Sequence, residues 1–260
     1  MVFSIRNGPP INQSIKVPTK ILELEVTNPK KIITNKGVFP HESVVYAYLS
    51  LDCFDEALGE IKYLSGDSYF IARAYCCLFQ YIYLGSEGGE YLTIAKEEIS
   101  QVQNSCSNPL LEARCSVLNA MVGSVEGMVD GVDKNFERAM ELYYHQEAKG
   151  LASVTGIYFV DYLINQKDWE KARSILQSIG EEITLKTYPF FDYHYQRLAA
   201  KIVGYEIGAK EDESSKKDHL HHLKSAYNKG VRCSTNQGFP VPEDELKSIM
   251  NMIKYYSRKY

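Results

Sequence analysis

The densest group of ionisable side chains in this sequence is the run Asp218-His219-Leu220-His221-His222. On a helix, Asp218 and His222 lie four residues apart and His219 and His222 lie three apart, so two imidazoles could share a metal ion. The sequence offers no fourth ligand at helical spacing, and a solvated polar helix face explains the run as well. We therefore predict no metal site and no bound cofactor.

A second possible chemistry is nucleophilic catalysis by a cysteine paired with a histidine, since the chain contains Cys106, Cys115 and His145. A reactive thiol needs an electropositive, partly exposed setting, whereas Cys115 lies within an apolar helical pattern that is typical of a core thiol. The sequence also lacks the glycine-rich phosphate loops and the serine nucleophile motif G-x-S-x-G. These observations predict a protein that is not an enzyme and has no catalytic residues.

Glycine and proline residues divide the chain after residue 39 into segments with helical periodicity. Because the connections between the segments are short, neighbouring helices are expected to pack antiparallel. We predict helices over residues 41–51, 53–65, 68–84, 89–103, 108–123, 133–149, 151–166, 168–179, 189–207, 215–229 and 242–257.

A short motif recurs at the start of alternate predicted helices: a large apolar residue, two further residues and then alanine. The alanine allows two helices to approach closely, and the residue three positions earlier lies on the same helix face. Successive alanines are separated by 38, 44, 33 and 54 residues, a spacing that indicates stacked helix pairs. The alanines of this motif are Ala57, Ala95, Ala139, Ala172 and Ala226.

The unit from Phe159 to Leu176 resembles a tetratricopeptide repeat. It has a bulky residue, Leu163, before a short turn, and Trp169-Glu170-Lys171-Ala172 opens its second helix. A unit around Phe54 matches next best. The chain departs from the family in carrying Val160 where a small residue is expected, in lacking the proline after the second helix and in exceeding the repeat length of about 34 residues at the intervals of 38 and 44 residues.

The fold predicted from this pattern and resemblance is all-α. It is a right-handed α-solenoid of about five antiparallel helix pairs, forming one helical-repeat domain over residues 40–260. The last helix, at 242–257, has an apolar stripe on one side and is expected to cap the stack. The stripe consists of Leu246, Ile249, Met250, Ile253 and Tyr256.

Residues 1–39 are predicted to form a non-helical N-terminal arm, either extended or folded as a short hairpin. Residues 22–26 alternate between apolar and polar types, and Ile32-Ile33-Thr34 follow as a possible second strand. The arm contains six Lys/Arg and two Asp/Glu, a net charge of +4, whereas residues 40–202 carry a net charge of −10. The arm is therefore expected to contact either the acidic body or an acidic surface on a partner.

Composition excludes several other classes of protein. An acidic body does not suit the phosphate backbone of DNA or RNA, so no nucleic acid is expected to bind there. The longest apolar run, residues 69–84, is interrupted by Arg73 and Gln80 and is too short to cross a bilayer, so membrane insertion is not expected. The first ten residues lack an apolar segment of signal-peptide length, which favours a cytoplasmic protein with reduced thiols.

The function predicted from these features is that of a non-catalytic adaptor or scaffold, which binds a peptide or another subunit in the concave groove of the repeat stack. The alternative is an obligate structural subunit of a larger multiprotein assembly. The resemblance implies that the partner-binding residues lie on the first helices of the pairs, with the helix after Pro189 added by analogy. They are Glu42, Tyr46, Ser50, Ile157, Asp161, Asn165, Tyr193, Arg197 and Lys201.

Overall fold

A computed structural model describes residues 29–34, 36–38, 40–49, 51, 53–105, 108–185, 189–210, 213–237, 241 and 243–260. Within these ranges all regular secondary structure is helical and there is no strand, which confirms the predicted all-α class. None of the described helices is both long enough and apolar enough to cross a membrane.

The described part of the chain contains twelve α-helices. Three short segments with other helical geometries accompany them: 3-10 turns at Lys36–Val38 and Gly85–Gly88 and a π-helical turn at Cys233–Gln237. The α-helices are α1 (Pro29–Thr34), α2 (His41–Leu49), α3 (Phe54–Ile61), α4 (Gly66–Leu84), α5 (Gly89–Ser105), α6 (Pro109–Val125), α7 (Val132–His145), α8 (Lys149–Asn165), α9 (Trp169–Leu185), α10 (Pro189–Lys210), α11 (Glu213–Arg232) and α12 (Glu243–Lys259).

Helices α2 to α12 correspond one to one with the eleven predicted helices. The largest difference is at α9, which continues to Leu185 instead of ending before Gly180. A β-carbon built on Gly180 would lie 2.7 Å from the hydroxyl oxygen of Tyr195 in α10. Gly180 therefore permits a close approach between two helices, and the prediction that it ends a helix is wrong.

The chain divides into two compact units. Unit 1 comprises residues 39–148 and unit 2 comprises residues 149–260, with the described residues 29–34 and 36–38 grouped with unit 2. Residues 32–34 belong to α1, so they are helical and not the predicted second strand of a hairpin. The alternating stretch 22–26 lies outside the described residues.

In unit 1 each helix from α2 to α7 packs against the next one. The first helices of successive pairs, α2, α4 and α6, also contact one another in that order. Antiparallel packing follows from the contacts between α6 and α7. Glu112 near the start of α6 pairs with Arg138 at the middle of α7, whereas Gly123 near the end of α6 approaches Val132 at the start of α7.

In unit 2 the helices α8 to α12 pack in the same sequential way, and α8 also contacts α10. Asp192 at the start of α10 pairs with Lys229 near the end of α11, whereas Gly204 later in α10 lies against His219 earlier in α11. These helices are therefore antiparallel. The terminal helix α12 rests on α11, with Ile249 buried and Leu246 close to Gly230.

The repeated alanines occupy equivalent positions in the structure. They lie in α3, α5, α7, α9 and α11, the second helix of each pair, and the side chain of each is 0% exposed. A small residue at such a position permits close helix packing, so the burial agrees with the role predicted for the motif. The five residues are Ala57, Ala95, Ala139, Ala172 and Ala226.

Candidate functional site

A groove in unit 2 is the strongest candidate for a binding site. It runs over α10 between α9 and α11 and has a volume of about 510 Å³. Its apolar lining comes from Leu176 on α9 and from Ala199, Ile202 and Val203 on α10. The three α10 residues lie within one turn or two of each other, so helical spacing alone brings them onto one face.

Polar side chains surround this apolar floor. Arg173 on α9 forms an ion pair with Glu206 on α10, and this pair links the two helices within the groove. Gln177 follows Arg173 one turn later on α9, while Ser215 and Asp218 come from α11. Asp218 is exposed to solvent at this rim.

A chain of hydrogen bonds behind the groove orients the imidazole of His222. Lys229 donates to one carboxylate oxygen of Asp192, and the amide nitrogen of Gln196 lies 3.5 Å from the other. With its amide nitrogen directed at a carboxylate, Gln196 presents its amide oxygen to His222 Nδ1 at 2.8 Å. An amide oxygen only accepts, so Nδ1 carries the proton and Nε2 is left as an acceptor.

Burial determines the protonation state of this histidine. Desolvation lowers the pKa of His222, with a smaller contribution in the same direction from His221, while Asp218 opposes the shift. The imidazole is therefore neutral at pH 7. Burial also raises the pKa of Tyr195, another residue of the groove, and Asp192 adds to that effect. The Tyr195 phenol consequently stays protonated.

An aromatic pair lies next to one end of the groove. The rings of Trp169 on α9 and Tyr205 on α10 stack with centroids 4.2 Å apart and an interplanar angle of 10°. Tyr205 remains 51% exposed. Trp169 precedes Arg173 by one turn and Tyr205 is adjacent to Glu206, so the stacked rings extend the wall formed by that ion pair.

The structure places few of the residues predicted for partner binding at an accessible surface. The side chains of Tyr46, Ile157, Asp161 and Tyr193 are at most 1% exposed, so they form part of the interior. Arg197 is also buried. Glu42 is partly exposed, Asn165 and Lys201 are exposed, and Ser50 lies outside the described residues.

Three of those predicted residues meet in a buried ionic network in unit 2. Arg197 Nη2 lies 3.6 Å from Asp161 Oδ1 and its Nη1 lies 3.4 Å from Glu245 Oε1, while Lys201 Nζ lies 3.4 Å from the same Asp161 oxygen. The network joins α8, α10 and α12. Burial lowers the pKa of Lys201 despite the opposing attraction of Asp161, and burial followed by Glu245 raises the pKa of Tyr193.

The histidine run of α11 is distributed over different environments. His219 Nδ1 lies 3.3 Å from the hydroxyl oxygen of Tyr260, and its ring contacts Tyr256, whereas His222 faces Gln196. The two imidazoles therefore do not converge on a shared ion. Across the described residues, no three His, Cys, Asp or Glu side chains are grouped so as to hold a metal.

The cysteines considered for nucleophilic chemistry lie in apolar surroundings where the structure describes them. Cys115 is buried within α6, and His145 is exposed at the end of α7. Burial raises the pKa of Cys76 to about 12 and that of Cys77 to about 11. These thiols are therefore protonated, which favours a packing role. Cys106 lies outside the described residues.

Comparison with protein-family models, with curated proteins and with solved structures gives no match for this chain.

Sequence reasoning identifies the residues of the groove only in part. It singles out Asp218 and His222 as possible metal ligands, and it places Tyr193, Arg197 and Lys201 correctly on one helix, but it assigns the buried Tyr193 and Arg197 to an accessible surface. The i, i+3 and i, i+7 spacing of Ala199, Ile202 and Glu206 is a signal for one face of α10. No sequence signal indicates that α9 and α11 leave this face uncovered.

Proposed function

We propose that this chain is a non-catalytic interaction protein that binds a segment of another polypeptide in the groove over α10. The single observation that carries the proposal is the groove itself, with its apolar floor and polar rim. This division matches the usual anatomy of a protein interface, in which apolar contacts supply affinity and polar groups at the edge fix orientation.

The size of the groove supports an extended or helical segment as the ligand. A volume of about 510 Å³ lies within the range of specific binding pockets. Helix-lined grooves bind peptides through a few anchoring side chains. The partly exposed Val203 provides apolar surface for such an anchor, and the exposed Gln177 offers a hydrogen bond from α9.

The resemblance to tetratricopeptide repeats adds support from the architecture. In our proposal the helix pairs form a right-handed α-solenoid, as that family does, and the five buried alanines are the repeated packing positions. Stacked repeats generate extended surfaces that serve for partner binding. The accessible residues Glu42, Asn165 and Lys201 remain candidate contacts on the first-helix side of such a stack.

Selection from a random peptide library displayed on phage tests the proposal, because it requires no assumption about the identity of the partner. The wild-type protein is expected to enrich a family of related peptides. Gln177→Trp places a large ring at the mouth of the groove and should weaken binding of those peptides at least about tenfold. The matched control is Ser174→Trp, an exposed position on the same helix that does not line the groove.

The proposal fails if the two tryptophan variants bind the selected peptides as well as the wild type does. Far-UV circular dichroism and thermal melting should be the same for all three proteins, because both substitutions are at exposed positions. Loss of binding by both variants would also contradict a site in the groove.

A second candidate function, a structural subunit of a larger assembly, is favoured by apolar residues exposed on unit 1. Tyr83 and Leu84 end α4, and Met128 and Val129 follow α6; each is at least 42% exposed. Because α4 and α6 are both first helices and contact each other, their C-terminal ends lie at the same end of unit 1. Changing Tyr83 and Met128 to Ser should release such a subunit from its assembly, as measured by size-exclusion chromatography of cell extracts.

A further inference from the structure

Two acceptors lie one turn apart on α11 in the groove over α10. His222 Nε2 accepts because Gln196 fixes the proton on Nδ1. Asp218 contributes a carboxylate from the preceding turn of α11. The guanidinium of Arg173 is engaged by Glu206. Gln177, Tyr195 and Ser215 can each donate or accept, so the groups of α11 in this lining that require a donor are Asp218 and His222.

The charge of the lining also favours a ligand group that carries hydrogen-bond donors. Among the described residues of the lining, Arg173 is the one cationic side chain and it pairs with Glu206, so the carboxylate of Asp218 gives this part of the lining a net negative charge. A neutral imidazole does not offset this charge. A carboxylate ligand would meet Asp218 and the His222 lone pair, and the one cation of the described lining is already paired.

The apolar part of the lining favours a ligand with a hydrocarbon segment. Val203 is partly exposed there, whereas Leu176 and Ile202 are buried. Lysine and arginine side chains have this combination, since their methylene stems pack on apolar surface while the charged end reaches polar groups. Their donors match the acceptors at Asp218 and His222.

We infer that the groove over α10 binds a lysine or arginine side chain of the partner polypeptide, with the stem on Val203 and the charged end at Asp218 and His222. This inference rests on the proposed function, because it names the residue type that anchors a polypeptide at that site. The aromatic pair Trp169–Tyr205 stands beside the groove, where it can contact the residues flanking the anchor.

Three synthetic peptides test this specificity. They are Ac-Ala-Leu-Lys-Leu-Ala-NH2 and its counterparts with norleucine or glutamate at the centre. Norleucine retains the hydrocarbon stem and lacks the ammonium group. Affinity is measured by NMR titration of the His222 imidazole C–H signals. The lysine peptide should bind about five- to tenfold more tightly than the norleucine peptide, and the glutamate peptide should bind most weakly.

Substitution of the proposed charge partner provides the matched test. Asp218→Asn is nearly isosteric and should reduce the affinity for the lysine peptide to that for the norleucine peptide, with norleucine binding unchanged. The control is Asp244→Asn, which removes the same charge from an exposed position on α12 that does not line the groove. This control should retain the wild-type preference for lysine.

The possible outcomes separate this inference from the proposed function. Equal affinity for lysine and norleucine, or a preference for glutamate, would overturn the basic anchor even when a peptide binds in the groove. An Asp218→Asn variant that keeps the lysine preference would overturn it as well. If none of the three peptides perturbs the His222 signals, the inference of a basic anchor fails. If Gln177→Trp also leaves the binding of the library-selected peptides unchanged, the proposed function fails as well.

Discussion

The two compact units are built from the same kind of helix pair but differ in charge. Residues 40–148 contain 17 Asp/Glu and 6 Lys/Arg, a net charge of −11, whereas residues 149–260 contain 14 Asp/Glu and 17 Lys/Arg, a net charge of +3. Several exposed acidic residues of unit 1 lie on its second helices, including Asp55, Glu97 and Glu137. Similar packing thus supports very different surfaces, because the core positions and the surface positions are set by different residues.

Despite their different net charges, both units contain a buried arginine that lies close to a carboxylate of another helix. In unit 1 the buried Arg114 of α6 lies 3.8 Å from Glu42 of α2, and in unit 2 the buried Arg197 of α10 lies between Asp161 of α8 and Glu245 of α12. Each arginine links first helices across the stack. Arg197 faces two carboxylates at 3.6 and 3.4 Å, one on α8 and one on α12.

The features that stabilise the two units are shared, whereas the features proposed for partner binding differ between them. Both units use buried alanines and a buried arginine, and the described part of unit 2 also has the groove with its oriented histidine. Unit 1 instead exposes apolar residues at the ends of α4 and α6. We therefore expect substitutions of the shared features to affect both units and substitutions in the groove to affect binding alone.

The largest effect is expected from replacing the buried arginines. Arg197→Met should lower the free energy of unfolding by about 3 kcal/mol, because it removes a cation from the buried Asp161, which keeps Lys201 beside it, and from the partly exposed Glu245. Arg114→Met should have a smaller effect, since the carboxylate of Glu42 lies farther from it, at 3.8 Å. Urea denaturation of the two variants measures the difference.

The control for this experiment is Arg138→Met, which removes an exposed arginine paired with Glu112 and Glu141. It should change stability by less than about 1 kcal/mol. If Arg197→Met were no more destabilising than Arg138→Met, the buried network would not stabilise unit 2.

Features that depend on residues close together in the chain could be predicted from the sequence, whereas features that depend on several helices could not. The positions of α2 to α12 are encoded locally, by apolar periodicity and by Gly and Pro at the breaks, and the predicted ends agree to within a few residues at most positions. The burial of the repeated alanines is also predictable, because it depends on helix geometry. The pairing of Arg197 with Asp161 and Glu245 depends on three helices, and sequence spacing cannot reveal it.

The same limit explains the errors about the candidate site. The family pattern places Asp161, Tyr193 and Arg197 on a partner-binding groove, but the packing in unit 2 encloses them. The groove itself depends on the separation of α9 from α11, which no local pattern specifies. Gly180 suggests a helix end because glycine disfavours helix, whereas its contact with Tyr195 explains its presence.

An intermediate effect is expected at the repeated alanines, where the units should behave alike. Ala172→Leu in unit 2 and Ala139→Leu in unit 1 should each destabilise the protein by about 1–3 kcal/mol, because a larger side chain overpacks the contact between helices. Thermal melting monitored by circular dichroism measures both. Ser174→Leu, at an exposed position two residues after Ala172, is the control. A marked loss in one unit and none in the other would contradict a shared repeat packing.

The smallest expected effect is a pH dependence specific to unit 2. Burial, and secondarily His222, lowers the pKa of His219 from 6.5 to about 4, and Tyr256 and Tyr260 pack against its ring. Between these values the unfolded chain binds more protons than the folded one. The contribution of His219 to stability is therefore complete above pH 6.5 and is lost as the pH falls towards 4.

Removal of this imidazole should make the free energy of unfolding less dependent on pH between pH 6.5 and pH 4. In His219→Phe the loss of stability between pH 6.5 and pH 4 should be smaller than in the wild type by on the order of 1 kcal/mol. His221→Phe, at an exposed position on the same helix, is the control and should follow the wild-type profile. Identical profiles for all three proteins would contradict the burial of His219 as a neutral group.

The central claim, that partner binding belongs to the groove of unit 2, is tested most directly by site-specific photo-crosslinking. A benzophenone amino acid replaces Gln177 at the groove in one protein and Met128 at the apolar end of unit 1 in another, and each is irradiated in living cells. The account predicts a discrete crosslinked species from position 177, which disappears when the groove is also filled by Val203→Arg. A crosslinked partner obtained from position 128 alone would contradict it.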